Sequence, residues 1–121
     1  MRDKELGRAG ERLAGAFLER KGYRILERNY RSPHGELDII ASKGGLLVFC
    51  EVKTRSCGDI IEALEAVGPR KQERIVRTAS YYLFREKPAC RRCRFDVIAL
   101  LRECGRWRIE HVQDAFEIGE I

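Results

Sequence analysis

Gly35-Glu-Leu-Asp-Ile-Ile-Ala-Ser-Lys-Gly-Gly-Leu-Leu-Val-Phe-Cys-Glu-Val-Lys53 reads as two strands joined by a tight turn. Gly44-Gly45 is a favoured pair for a two-residue hairpin connection. With those glycines at the turn, Ile39 pairs with Cys50, Asp38 with Glu51 and Glu36 with Lys53. Directly opposed side chains stand only about 5 Å apart at Cβ, so Asp38 and Glu51 repel unless something lies between them. A divalent cation is the most economical candidate, and solvated charges on an exposed hairpin edge are the alternative. The same register puts Leu37, Ile39 and Ala41 on one face with Leu46, Val48, Cys50 and Val52. Ile40, Leu47 and Phe49 fall on the other face, and a slip of one residue would scatter both sets.

Working outward, Asp3 to Lys21 has helical periodicity, with Leu6, Gly10, Leu13 and Phe17 on a stripe widened by Ala9 and Ala14. Gly22 suits the position after a helix end. Tyr23 to Tyr30 reads as a strand, and Arg31-Ser-Pro-His-Gly as a turn. Thr54 to Val67 fits either a short helix or a loop. Pro69 opens a second helix that runs to about Phe84. Arg94 to Leu101 and Trp107 to Val112 read as strands. The order α-β-β-β-α-β-β makes an α/β fold, with a central sheet flanked by helices. The apolar residues on both faces of the Leu46–Lys53 strand suit a central position.

The chain of 121 residues is expected to form a single domain, 1-121. Its net charge of +5 favours a polyanionic partner. No apolar run approaches the roughly 20 residues of a membrane span, and the N-terminus lacks a signal-peptide apolar core, so a cytoplasmic location is expected. Five cysteines make an odd number, against a fully paired scaffold. Cys90-Arg-Arg-Cys93 has zinc spacing but no matching second pair. Cys57, Cys104, His34 or His111 would have to complete such a site, and ordinary reduced thiols are the better reading. A Ser/His/Asp order, a phosphate-cradling Gly-Lys-Ser/Thr loop and a dinucleotide glycine fingerprint are all absent from the sequence.

The hairpin therefore carries the chemistry. Asp38 and Glu51 supply two carboxylates on rigid strands, the kind of oxygen donors that Mg²⁺ or Mn²⁺ accepts alongside water and the Val52 carbonyl. Lys53 points to the same side as Glu51, where an ammonium can orient a water or hold a phosphate oxygen. Metal and lysine beside a polyanion suit phosphodiester hydrolysis. Glu11, on a helical strip with Gly7, Gly15 and Leu18, reads equally as a third acid or as a solvated surface residue. Arg70, Lys71, Arg74 and Arg77 form a basic face opposite Ile75, Val76, Ala79 and Leu83. Arg20, Lys21, Arg24, Arg28 and Arg31 form a second basic cluster. His34 in the turn, His111 and Asp96 each have a structural reading of equal or greater weight. Tyr81, Tyr82 and Phe84 read as core packing on the second helix.

Gly10-Glu-Arg-Leu-Ala14, Asn29-Tyr-Arg31, Gly35-Glu-Leu-Asp-Ile-Ile-Ala41, Val48-Phe-Cys-Glu-Val-Lys-Thr-Arg55, Lys71-Gln72 and Arg94-Phe-Asp-Val97 resemble the bacterial YraN-like uncharacterised family. That family is similar to archaeal Holliday junction resolvases and belongs with the restriction-endonuclease-like nucleases. The resemblance implies a restriction-endonuclease-like core with a mixed sheet. It also implies Glu11 as the helix-borne acid, Asp38, Glu51 and Glu11 as the metal-binding acids, and Lys53 as the catalytic lysine, with Glu36 supporting it. Arg31, Glu36, Arg55, Arg70, Lys71, Gln72, Arg74 and Arg77 then form the nucleic-acid-contacting set. The expected activity is metal-dependent cleavage of DNA, in branched or otherwise structured form, by a two-fold dimer. RNA stays an alternative substrate. A non-catalytic nucleic-acid-binding or partner-docking module is the competing reading.

Overall fold

The computed structural model describes residues 3–56 and 58–116. Cys57, named above as a candidate zinc ligand, lies outside them, as do the first two residues of the N-terminus. Helix α1 (Asp3–Arg20) leads into β1 (Arg24–Ser32), β2 (Gly35–Lys43) and β3 (Leu46–Arg55). Helices α2 (Ile60–Glu65) and α3 (Pro69–Glu86) follow, then β4 (Arg92–Glu103) and β5 (Arg106–Val112). The five strands form one sheet in the order β1-β2-β3-β4-β5. Neighbours are antiparallel except β3 and β4, which are parallel, so the sheet is mixed. This is an α/β architecture consistent with the restriction-endonuclease-like core. The uncertain stretch after β3 contains the short helix α2, whose start is capped by Asp59 accepting the Glu62 N–H at 2.9 Å.

Helix α1 ends in a Schellman turn. Gly22, at φ 92°, donates to the Glu19 carbonyl, and Tyr23 N–H reaches back to Leu18 O at 3.0 Å. Tyr23 and Leu18 then enter the same core. That core lies between α1 and the sheet and holds Ala14, Ile39, Ala41, Val48, Cys50, Val52, Ile98 and Leu100. The second core lies on the opposite face beneath α3, with Leu37, Ile40, Leu47, Phe49, Ile75, Ala79, Tyr82, Phe95 and Val97. Strand β3 feeds both, and its first seven residues are buried, as a central strand requires.

The hairpin register is as the sequence predicts from Lys43↔Leu46 to Ile39↔Cys50. Beyond Ile39 the expected alternation fails, and Leu37 sits in the α3 core rather than with Ile39 and Ala41. The neighbouring edge strand is irregular at the same level. Asn29 adopts φ 51°, a left-handed conformation that asparagine tolerates better than most residues. No ladder pair joins Asn29 to Asp38, although Arg28↔Ile39 and Tyr30↔Leu37 flank them. At this level β2 turns over, and Leu37 faces the opposite core from Ile39.

Helix α1 also lies differently from its expected stripe. Leu6, Gly10, Ala14 and Leu18 are buried, whereas Leu13 and Phe17 are only half-buried. A Cβ on Gly10 would run into the Thr54 hydroxyl, and one on Gly15 into the Arg28 guanidinium. Gly7 faces open space and the Arg28 end opposite Gly15 can swing aside, so Gly10 is the glycine that lets this helix lie close to the sheet.

Candidate acid site and its basic flank

At the end of the regular hairpin ladder the Asp38 side chain replaces a backbone acceptor. Its Oδ2 takes the Val52 N–H at 2.7 Å. This bond pins Asp38 beside Glu51, whose side chain is almost completely buried. Burial, and then the negative Asp38 next to it, push the Glu51 carboxyl up to about 7, and a hydrogen bond between the two carboxyl groups adds to the rise. Lys71 and Lys53 pull the other way, with Nζ atoms 3.4 and 3.7 Å from Glu51 Oε1. The facing carboxylates and the nearby Lys53 expected from the turn are therefore together.

Glu11 approaches from α1. It lines a cleft of about 300 Å³ with Asp38, Asn29, Arg8, Arg12 and Arg28. Half-burial and then the Asp38 charge raise its carboxyl above the ordinary value, while a hydrogen bond from the Asn29 side chain lowers it. Asn29 is thus a site residue that sequence reasoning missed, and its left-handed backbone is what lets β1 bend there. Among the described residues no three His, Cys, Asp or Glu side chains converge closely enough to hold a metal ion. Asp38 and Glu51 form the inner pair, and Glu11 stands back from it.

That pair fits a hard divalent cation on its own chemistry. Like charges driven together, one of them toward its protonated form, are relieved by a cation between them. Mg²⁺ commonly takes one or two protein carboxylates and completes its shell with water and phosphate oxygens.

The remaining expected residues divide. Lys71, read as a phosphate contact, lies on Glu51 instead. Glu36 does not meet Lys53; its carboxylate pairs across the edge with Arg31 Nε at 3.0 Å, both side chains exposed. Gln72 donates to the Val67 carbonyl at 2.9 Å and so closes the turn before α3. Arg55 donates to the carbonyl of its neighbour Thr54. Arg70, Arg74 and Arg77 are exposed and line a groove with the Pro33-His34 turn. Arg20, Lys21, Arg24 and Arg28 are also exposed, with Arg28 3.6 Å from Glu19. Tyr82 packs in the core against Tyr30 and Phe49, but Phe84 is exposed, contrary to expectation.

Asp96 belongs to a separate polar cluster. It is fully buried and accepts from Arg94 Nε and Nη2 at 2.8 Å each and from the Asp114 N–H at 3.0 Å. His111 Nε2 lies 2.7 Å away, and Arg94 also reaches the Tyr23 hydroxyl at 2.7 Å. Burial alone would raise this carboxyl, but the bonds from His111, Arg94 and the Asp114 amide outweigh it and lower the value. These contacts give Asp96 and His111 the structural role that was one of their two readings. Cys50, Cys90, Cys93 and Cys104 are free thiols. Burial pushes Cys50 well up, and burial with the adjacent Cys90 pushes Cys93 up to about 11, so both are held protonated.

With this geometry in hand, comparison with known proteins places the sequence. Residues 10–100 match the model of the Uncharacterised protein family UPF0102. The chain belongs to that family. A UPF0102 protein of Chlorobium phaeobacteroides is 45% identical over 118 residues, covering 93% of both chains. Another from Prosthecochloris aestuarii is 48% identical over 118 residues, again covering 93% of each. Among solved structures, Pyrococcus furiosus SfsA in complex with Ca²⁺ is similar at a TM-score of 0.37 and 16% identity. That match covers 95% of this chain and 65% of SfsA, and a likeness at that level carries no functional argument. The described residues contain no helix long and apolar enough to cross a membrane.

Proposed function

We propose that this UPF0102 protein is a metal-dependent endonuclease that hydrolyses phosphodiester bonds in DNA, in branched or otherwise structured form. The observation that carries the reading is the Asp38–Glu51 carboxyl pair, fixed by the Val52 amide and faced by the Lys53 and Lys71 ammonium groups. Asp38 and Glu51 would hold Mg²⁺ or Mn²⁺, with Glu11 as the further acid beside them. When bound, such a cation lowers the pKa of its water and stabilises charge on phosphoryl oxygens. The chain's own residues do the rest. Lys53, held on β3, places a point charge where a phosphate oxygen or the attacking water would lie. Lys71, now 3.4 Å from Glu51, would be available to a phosphate oxygen if the Glu51 charge were neutralised from its other side. Arg70, Arg74 and Arg77 anchor the backbone of the nucleic acid beside the site. A two-fold dimer would present two such sites to a substrate with two-fold symmetry, and the free thiols suit a reducing cytoplasm.

A second reading has its own observation. Both lysines already offset part of the Glu51 charge without any cation, which suits a module that binds nucleic acid or a protein partner and cuts nothing. Cleavage of labelled four-way junction, duplex and single-stranded DNA with Mg²⁺ or Mn²⁺, comparing wild type with Glu51→Ala, separates the two. Metal-dependent cutting that the variant loses supports the nuclease. Binding with no cutting in either protein, under both metals, favours the module.

A further inference from the structure

Arg70, Arg74, Arg77, Tyr81 and Phe84 recur along α3 at steps of four, three, four and three residues, so they occupy one strip of its surface. The strip faces outward. Its three arginines are exposed, Tyr81 is half-buried, and Phe84 is 78% exposed. A single open phenylalanine means little, but Phe84 is not alone. The His34 ring meets Tyr81 edge-on at 6.2 Å, and the Arg85 guanidinium lies 5.6 Å from the centre of the Tyr81 ring. Beside the arginines the Pro33-His34 turn forms the second wall of a groove of about 390 Å³. The carboxylate in that groove, Glu73, is neutralised by Arg77 at 2.8 Å. The arginine end adjoins the acid site, because Lys71, next to Arg70 in the chain, lies on Glu51. The aromatic end is about 20 Å further along the helix axis, at ~1.5 Å per residue.

We propose that this strip seats an unpaired, single-stranded segment of DNA. Its phosphates lie along Arg70, Arg74 and Arg77, and its bases stack on the rings of Phe84, Tyr81 and His34. Guanidinium groups alone would suit any polyanion. Aromatic faces next to them suit bases that are free to stack, which a closed duplex does not present. The inference rests on the reading that the polyanion is DNA, and it names the form that this surface selects.

The test is equilibrium binding by fluorescence anisotropy in EDTA, where no strand is cut, with labelled oligo(dT) and a duplex of equal length. Phe84→Ala is expected to weaken single-strand binding about tenfold, Phe84→Trp to restore it, and duplex binding to change less than about twofold. Arg74→Ala should weaken both ligands alike. Thermal melting of each variant confirms the fold, and sedimentation gives the oligomeric state. Equal losses for both ligands, no loss on oligo(dT), or conversion of a dimer to monomers by Phe84→Ala would overturn the proposal. Stacking-dependent binding by a chain that cuts nothing with Mg²⁺ leaves this inference standing and removes the nuclease reading. Cutting by a chain whose single-strand affinity ignores Phe84 does the reverse.

Discussion

Glu51 on β3 and Asp96 on β4 are both buried carboxylates on adjacent parallel strands, yet their surroundings drive them in opposite directions. Asp96 is held by the Arg94 fork, His111 and a backbone amide, and its carboxyl is lowered. Glu51 has a second carboxylate at its side and two ammonium groups beyond ordinary hydrogen-bond length, and its carboxyl is raised to about 7. Burial acts on both. What differs is the supply of donors against like charge. The first arrangement holds the fold together, and the second leaves like charge only partly compensated, the pattern that the proposed cation site requires.

The largest effect expected is from Asp96→Ala. It strands Arg94 and His111 in the interior and should cost about 3–5 kcal/mol, read by urea denaturation. A loss under about 1 kcal/mol would break the contrast, because Asp96 would then be no better compensated than Glu51.

The next test uses pH. Between pH 4.5 and about 7 folded Glu51 keeps a proton that the unfolded chain gives up, so stability falls as pH rises through that window. Glu51→Gln should therefore be more stable than wild type at pH 8, by about 1–3 kcal/mol, and little different at pH 4. Asp96 has the opposite sign. Its contribution is complete above its ordinary 3.8 and is lost as pH falls through its lower folded value.

Mg²⁺ or Mn²⁺ sharpens the comparison further. A tenfold excess over the dissociation constant should stabilise wild type by about 1.4 kcal/mol and leave Glu51→Gln unmoved, measured as a shift in melting temperature. The smallest effect belongs to Lys71→Met. Its ammonium is partly exposed, so the change should be under about 1 kcal/mol. It should also carry the pH-dependent loss of stability to higher pH, because a group that lowers the Glu51 value is gone.

The half of the molecule built from local signals was legible in the sequence. Gly44-Gly45 fixes the hairpin register as far as Ile39↔Cys50, because a tight turn leaves few registers that keep both faces apolar, and the bond from the Val52 amide then sets Asp38 beside Glu51. Pro69 marks the start of α3 correctly. What could not be read depends on contacts distant in the chain or on one unusual backbone angle. The pairing of Asp96 with Arg94, two residues away on the same strand, is open to a sequence reading, but Tyr23, His111 and Asp114 complete the cluster from positions that no spacing rule connects. The alternation that would keep Leu37 with Ile39 breaks at Asp38, opposite Asn29 at φ 51°, and the only hint of that backbone angle is the residue type. The sequence suggests Phe84 as core because aromatic residues usually are, whereas the buried face of α3 uses Ile75, Thr78, Ala79 and Tyr82.

The turning-over of β2 at Asp38 has a consequence for how the molecule opens. One strand contributes Ile39 and Ala41 to the α1 core, and Leu37 and Ile40 to the α3 core. Neither layer can peel from the sheet by itself without dragging this strand out of the other. The amide protons of Ile39, Ile40 and Ala41 should then exchange with solvent only in the same rare, global event, at one shared rate.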